Sequence, residues 1–207
     1  LSTTDFVQHK WAPGAPEANA FYARLDRFIG ELDTQDILLG LTADHGMNAK
    51  TNADGSPKVQ FIETILVQEG GAEARVILPS TDHYGGHHGA LGSYATVYVE
   101  ADHVEAAAAI LRTVPGIEKI LSRDEAAATY QLPPDRIGEL VVLADRDTVL
   151  GRTPDWHDLA DVAAGLRSHG GLHEGVVPMI FNRPLRDADA AQLASGPARN
   201  GDLVAVV

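Results

Sequence analysis

Apolar positions along the chain fall into more than one rhythm. After Pro16-Glu17, the residues Phe21, Leu25, Phe28, Ile29 and Leu32 recur three or four apart, which predicts a helix through Leu32 with one apolar face. Ile37 to Leu41 is a short unbroken apolar run ending in Thr42-Ala43-Asp44-His45-Gly46. Such a run predicts a buried, parallel-type strand with polar residues at its C-terminal tip. Thr51–Lys58 collects Asn, Asp, Gly, Ser and Pro and predicts a loop. The middle of the chain alternates faster. Strands are predicted at Arg75–Leu78, Tyr94–Val99, Ile117–Leu121 and Leu140–Ala144, with helices at His103–Arg112 and Arg123–Tyr130. That order predicts a small α+β unit with helices on one face of a sheet. Val176–Phe181 reads as a core strand and Leu203–Val207 as the last strand.

The pattern predicts an α/β chain: a core with a central, mostly parallel sheet flanked by helices, and an inserted α+β cap. The core would be 1–57 and 160–207, and the cap 58–159. Leu1 to Asp5 reads as the end of a strand emptying into a loop. The expectation is therefore that the core is incomplete and that further sequence precedes Leu1.

Composition narrows the function. Of 207 residues, 44% are hydrophobic and 22% charged, the ordinary balance of a globular chain rather than a disordered one. No apolar run approaches the roughly 18 residues that read as a membrane span. Cysteine is absent, which removes disulfides, thiolate zinc sites and a thiol nucleophile, and fits a cytoplasmic protein. Sixteen Lys and Arg against 29 Asp and Glu give a net charge of −13. A nucleic-acid partner needs a basic face and is not expected. A small anionic ligand is still compatible if bound metal ions reverse the local sign.

Three clusters carry the candidate chemistry. Asp5-Phe6-Val7-Gln8-His9 puts a carboxylate and an imidazole four apart, on one side if the backbone turns helically. Asp44-His45-Gly46 sits at the predicted strand tip. Ser168-His169-Gly170-Gly171-Leu172-His173-Glu174 precedes the run at Val176. All three lie at predicted ends of core elements, where open α/β sheets place their sites. Together they form a nitrogen-and-oxygen ligand set suited to zinc and, less well, to manganese or iron. Asp5, His9 and one histidine of the third cluster give three ligands and leave an open position. Asp44 and His45 supply only two for a second ion.

The order of these clusters resembles the alkaline phosphatase superfamily, whose metal signature is similar to Thr42-Ala43-Asp44-His45-Gly46-Met47. Within it the chain resembles the phosphonoacetate hydrolase family. The stretches that carry this are Ser2–Lys10 with Pro13–Asn19, His87–Tyr98, and Leu166–Gly171. The resemblance implies two zinc ions, one held by Asp5, His9 and His169 and the other by Asp44 and His45, with His9 also touching substrate. His169 is preferred to His173 because the superfamily's histidine directly precedes glycine. The implied reaction splits the carbon–phosphorus bond of a small anionic phosphonate into acetate and phosphate, with the inserted segment as a specificity cap and a homodimer as the assembly. A phosphodiesterase or nucleotide pyrophosphatase of the same superfamily, or a non-catalytic metal-binding fragment, is the alternative. The family's nucleophilic threonine, a further aspartate ligand and its carboxylate-gripping lysines lie before the matching region, so this chain alone is expected to be inactive.

Other polar clusters have plainer readings. His83, His87 and His88 line a loop or cap a strand more readily than they hold a third metal, and Tyr84 is a candidate substrate contact. Asp155-Trp156-His157-Asp158 reads as a helix start, and Lys10 as a solvated side chain.

Overall fold

The computed structural model describes residues 4–70, 73–79, 91–162 and 165–206. His83, Tyr84, His87 and His88 lie outside the described residues. The chain divides into two compact units, 1–46 with 175–207, and 47–174.

The first unit begins with α1 (Thr4–Lys10) and α2 (Pro16–Asp33). Pro16 opens α2 at a position where a missing N–H costs nothing. Of the strand end expected at Leu1–Asp5, residues 1–3 lie outside the described residues and Thr4 and Asp5 belong to helix α1, which puts Asp5 and His9 one turn apart. Strand β1 (Gly40–Thr42) follows, with its partner far along the chain; a two-residue strand, β2 (Asn48–Ala49), lies in the other unit.

The second unit continues through β3 (Val59–Phe61), α3 (Ile62–Gly70), β4 (Arg75–Ile77), β5 (Tyr94–Tyr98), α4 (Val104–Leu111), β6 (Ile117–Ser122), α5 (Arg123–Tyr130), β7 (Leu140–Ala144) and β8 (Val149–Gly151). Its main sheet has the order β4-β5-β7-β6, with every neighbouring pair antiparallel. All five residues of β7 are buried, as an all-apolar central strand should be. Alternation then separates the faces. Val142 and Ala144 pack with Ile62 and Leu66 of α3 and with Ala107, Ala108 and Leu111 of α4. Val141 faces the other way, against Ala126 of α5 and Ile137. Helices therefore cover both faces of this sheet rather than the one face expected, because the apolar run of β7 leaves neither side suited to water.

A short β9 (Arg167–Ser168) pairs antiparallel with β2, and β3 pairs parallel with β8. The Ser93 N–H donates to the His169 carbonyl and Lys50 Nζ to Ser93 Oγ, which ties segments 47–57 and 160–174 to the middle of the chain.

The first unit closes with β10 (Met179–Phe181), α6 (Asp187–Ala194) and α7 (Asn200–Val206). β10 pairs with β1 antiparallel, Leu41 opposite Ile180, where a parallel-type strand was expected. Where a strand was expected at Leu203–Val207, the described residues through Val206 are helical instead. The Arg199 N–H donates to the Asp202 carboxylate at 2.7 Å and caps that turn. Leu203 then packs against Gly40, within 3.2 Å of where a Cβ there would lie. Among the described residues no helix is long and apolar enough to cross a membrane.

Candidate active site

In the first unit, Asp5, Asp44 and His45 come together. β1 delivers Asp44 and His45 just past its tip, and α1 presents Asp5 from its first turn. His45 Nε2 lies 3.9 Å from Asp5 Oδ1 and 3.6 Å from Asp44 Oδ2. Its other ring nitrogen, Nδ1, lies 3.0 Å from the Gly46 carbonyl oxygen. A carbonyl only accepts, so Nδ1 is the donor there, and Nε2 is the nitrogen turned toward the two carboxylates. Histidines that bind metals hold their second nitrogen in this way.

The tip is fixed from behind. Asn200 Nδ2 donates to the Ala43 carbonyl at 2.8 Å, and Thr42 Oγ1 donates to Asn200 Oδ1 at 3.0 Å. Asp44 Oδ1 accepts the His45 N–H at 3.1 Å, which leaves Oδ2 as the oxygen facing the ring. The Asp44 side chain is 86% exposed, Asp5 44% and His45 23%, so the group is open to a ligand from solvent. His9 is half-buried on the same helix as Asp5.

In the second unit, His169 follows β9 directly and is half-buried. Its carbonyl accepts the Ser93 N–H at 2.9 Å. Gly170 has φ +95°, which favours glycine, and a Cβ on Gly171 would lie 2.7 Å from that of Ser93. The loop therefore needs the glycines that follow His169. His173 is turned elsewhere, with Nε2 2.6 Å from Glu118 Oε2.

A buried ion pair that the sequence reading passed over lies beneath this loop. Lys50 Nζ is 2.9 Å from Glu174 Oε1, and both side chains are buried. Burial pushes the Lys50 ammonium below its ordinary pKa, against the opposing pull of Glu174. Burial pushes the Glu174 carboxyl up, but hydrogen bonds from Asn48, Lys50 and Gly171 outweigh it and leave the group below the usual carboxylate range. The only hint in the sequence was the position of Glu174 at the end of the third cluster.

Other candidates resolve structurally. Lys10 Nζ sits 4.4 Å from the centre of the Phe6 ring, a cation–π contact. His157 accepts the Arg152 N–H at Nε2 and stacks on Phe61, and Asp158 accepts the Ala160 N–H.

The family model for type I phosphodiesterase / nucleotide pyrophosphatase matches residues 1–173. The chain belongs to that family. Its superfamily, that of alkaline phosphatase, is metal-dependent. Phosphonoacetate hydrolase from Sinorhizobium meliloti 1021, solved in complex with phosphonoacetate and with phosphonoformate, is 48% identical with a TM-score of 0.80. That match covers 88% of this chain and 45% of the other, so the chain spans under half the length of that relative. Murine ectonucleotide pyrophosphatase / phosphodiesterase 5 matches at 18% identity and TM-score 0.60, over 87% of this chain and 45% of the other. That second likeness shows the shared α/β fold.

Proposed function

We propose that this chain is the metal-binding part of a hydrolase that cleaves the carbon–phosphorus bond of phosphonoacetate to give acetate and phosphate. The observation that carries the metal reading is His45: its Nδ1 is tied to Gly46, and its Nε2 faces two carboxylates. The donor set of nitrogen and carboxylate oxygen, with no thiolate, fits zinc. Asp5, His9 and His169 would hold one ion, and Asp44 and His45 would hold part of the other. Bound there, two ions supply Lewis acidity at the phosphonyl oxygens and positive charge that offsets the protein's net −13.

The chain's own residues then have defined tasks. Asp44 and His45 stand on a strand tip braced by Asn200, so the donors do not have to reorganise as charge develops at the substrate. His9, one turn from Asp5, reaches the substrate oxygens. In the net reaction one water is consumed: its oxygen bonds to phosphorus, it gives up a proton, and the carbon–phosphorus bond breaks. The electron pair passes to carbon, is spread into the neighbouring carboxylate as an enolate, and takes a proton to give acetate. The segment 58–159 caps the site and shapes specificity. The chain acts in the cytoplasm and pairs as a homodimer.

The family match favours one alternative, a phosphodiesterase or nucleotide pyrophosphatase using the same metals on an ester. The 48% identity to a phosphonoacetate hydrolase, against 18% to a phosphodiesterase, supports the phosphonate. The deciding experiment assays the full product of the gene with zinc, comparing acetate and phosphate release from phosphonoacetate with hydrolysis of a phosphodiester. Preference for the diester sinks the phosphonate reading. A zinc-loaded protein that turns over neither leaves only a metal-binding role.

A further inference from the structure

The loop that carries His169 contains two glycines, so it is conformationally soft unless something outside it fixes its shape. Two hydrogen bonds do so, one at each end. The His169 carbonyl accepts the Ser93 N–H at 2.9 Å, and the Gly171 N–H donates to Glu174 Oε2 at 2.9 Å. Both anchors converge on one atom. Lys50 Nζ donates to Ser93 Oγ at 2.7 Å, to Glu174 Oε1 at 2.9 Å and to the Arg146 carbonyl at 2.7 Å. That uses all three protons of the ammonium. Asn48 Nδ2 adds a 2.6 Å bond to Glu174 Oε1, and Ser93 Oγ donates onward to the Thr148 carbonyl at 2.7 Å. On the strand side, the Lys50 N–H donates to the Leu166 carbonyl at 2.8 Å, and Ser168 Oγ donates to the Leu91 carbonyl. Glycine at 92 admits the loop, since a Cβ there would lie 3.0 Å from the His169 carbonyl oxygen.

Burying two opposite charges is a poor way to gain stability, because desolvation offsets the attraction. Fixing a geometry is a better account of why the charges are there. We propose that Lys50, Glu174 and Ser93 are positioning residues that hold the His169-Gly170-Gly171 loop in the shape His169 needs as a metal ligand. This rests on His169 being a ligand, as argued above. The three act through the loop backbone and do not touch the ion.

The test uses the whole 207-residue chain and two kinds of variant. Glu174→Gln keeps the shape and removes the charge. Lys50→Met with Glu174→Leu replaces the pair by apolar side chains and leaves no buried charge, so it separates positioning from folding. Zinc affinity is measured by chelator competition, cobalt(II) coordination by its visible spectrum, and loop order by exchange of the Gly171 amide in metal-free protein. Both variants are expected to fold, to exchange the Gly171 amide faster, to bind zinc roughly 10–100-fold more weakly, and to give an altered cobalt spectrum. Variants that fold and keep wild-type affinity and spectrum overturn the proposal while the metal site stands. If the double variant does not fold, Glu174→Gln decides by the same readouts. If wild type binds no metal, or His169→Ala binds as tightly as wild type, the ligand reading itself fails and the proposal falls with it.

Discussion

At His45 a single hydrogen bond decides what the ring can do. Nδ1 donates to the Gly46 carbonyl, and that turns Nε2 toward Asp5 and Asp44. On the proposed reading, replacing His45 by Ala should therefore lower the amount of metal bound while the fold persists. Equilibrium dialysis with metal analysis would read this, and an unchanged stoichiometry would count against the assignment. Glu174 sets a second expectation at this scale. Its folded pKa lies below the ordinary 4.5, so below about that pH the unfolded chain binds more protons than the folded one. Stability from this group is fully present above that value and is lost as pH falls through the folded one. The lowered Lys50 ammonium has the same sign at the other end of the scale: stability rises with pH as its folded value is passed toward 10.5. The variant that replaces both by Met and Leu should show a shallower fall in melting temperature between pH 6 and about pH 3.5 than wild type does. Equal slopes would mean that other carboxylates carry the acid sensitivity.

The second unit's stability should be concentrated in the helix–sheet contact. Leu111 of α4 is fully buried among α3 and the main sheet. Leu111→Ala should cost about 2–5 kcal/mol in denaturant unfolding, through lost transfer energy and the cavity left behind. This is also the scale at which the sequence was most readable. β7 and α5 lie where the pattern put them: β7 because its five apolar residues admit no exposed face, α5 because Ser122 and Glu125 form a capping box at its start. Of the short strands, β1, β4 and β10 fall on runs that the pattern marked, but β2, β3, β8 and β9 were not readable, since pairings such as Val59 with Val149 depend on partners far along the chain. The C-terminal misreading has a definite cause. Leu203-Val204-Ala205-Val206 has strand-like composition, but Leu203 and Val206 turn inward while Val204 is exposed, and that spacing is helical. Of the candidate site, Asp5, Asp44 and His45, which the fold brings together, could be singled out in the sequence because ligand chemistry restricts residue type. Lys50 could not, because a lysine's burial depends on a carboxylate 124 positions away.

For the molecule as a whole, the question is whether these residues complete a reaction or only hold its metals. A covalent route to phosphate needs an activated hydroxyl beside the second ion. Thr42 is the hydroxyl closest in sequence to Asp44, and strand alternation points both to one side. Its proton is already given to Asn200 Oδ1, at 3.0 Å, and the same Asn200 ties down the Ala43 carbonyl. A hydroxyl held in this way braces the tip and is poorly placed to attack. Two buried hydroxyls beside the His169 loop are spent as well, Ser93 on the Thr148 carbonyl and Ser168 on the Leu91 carbonyl. Asp44 and His45 also supply only two of the three or more protein ligands that a catalytic zinc uses. The 207-residue chain should therefore bind zinc without releasing phosphate from phosphonoacetate. Asn200→Ala, which frees the Thr42 hydroxyl, should not create that activity. A colorimetric phosphate assay over a zinc titration makes the test. Zinc-dependent phosphate release that His45→Ala abolishes would show that a nucleophile lies within these residues, and release that Thr42→Ala also abolishes would identify it.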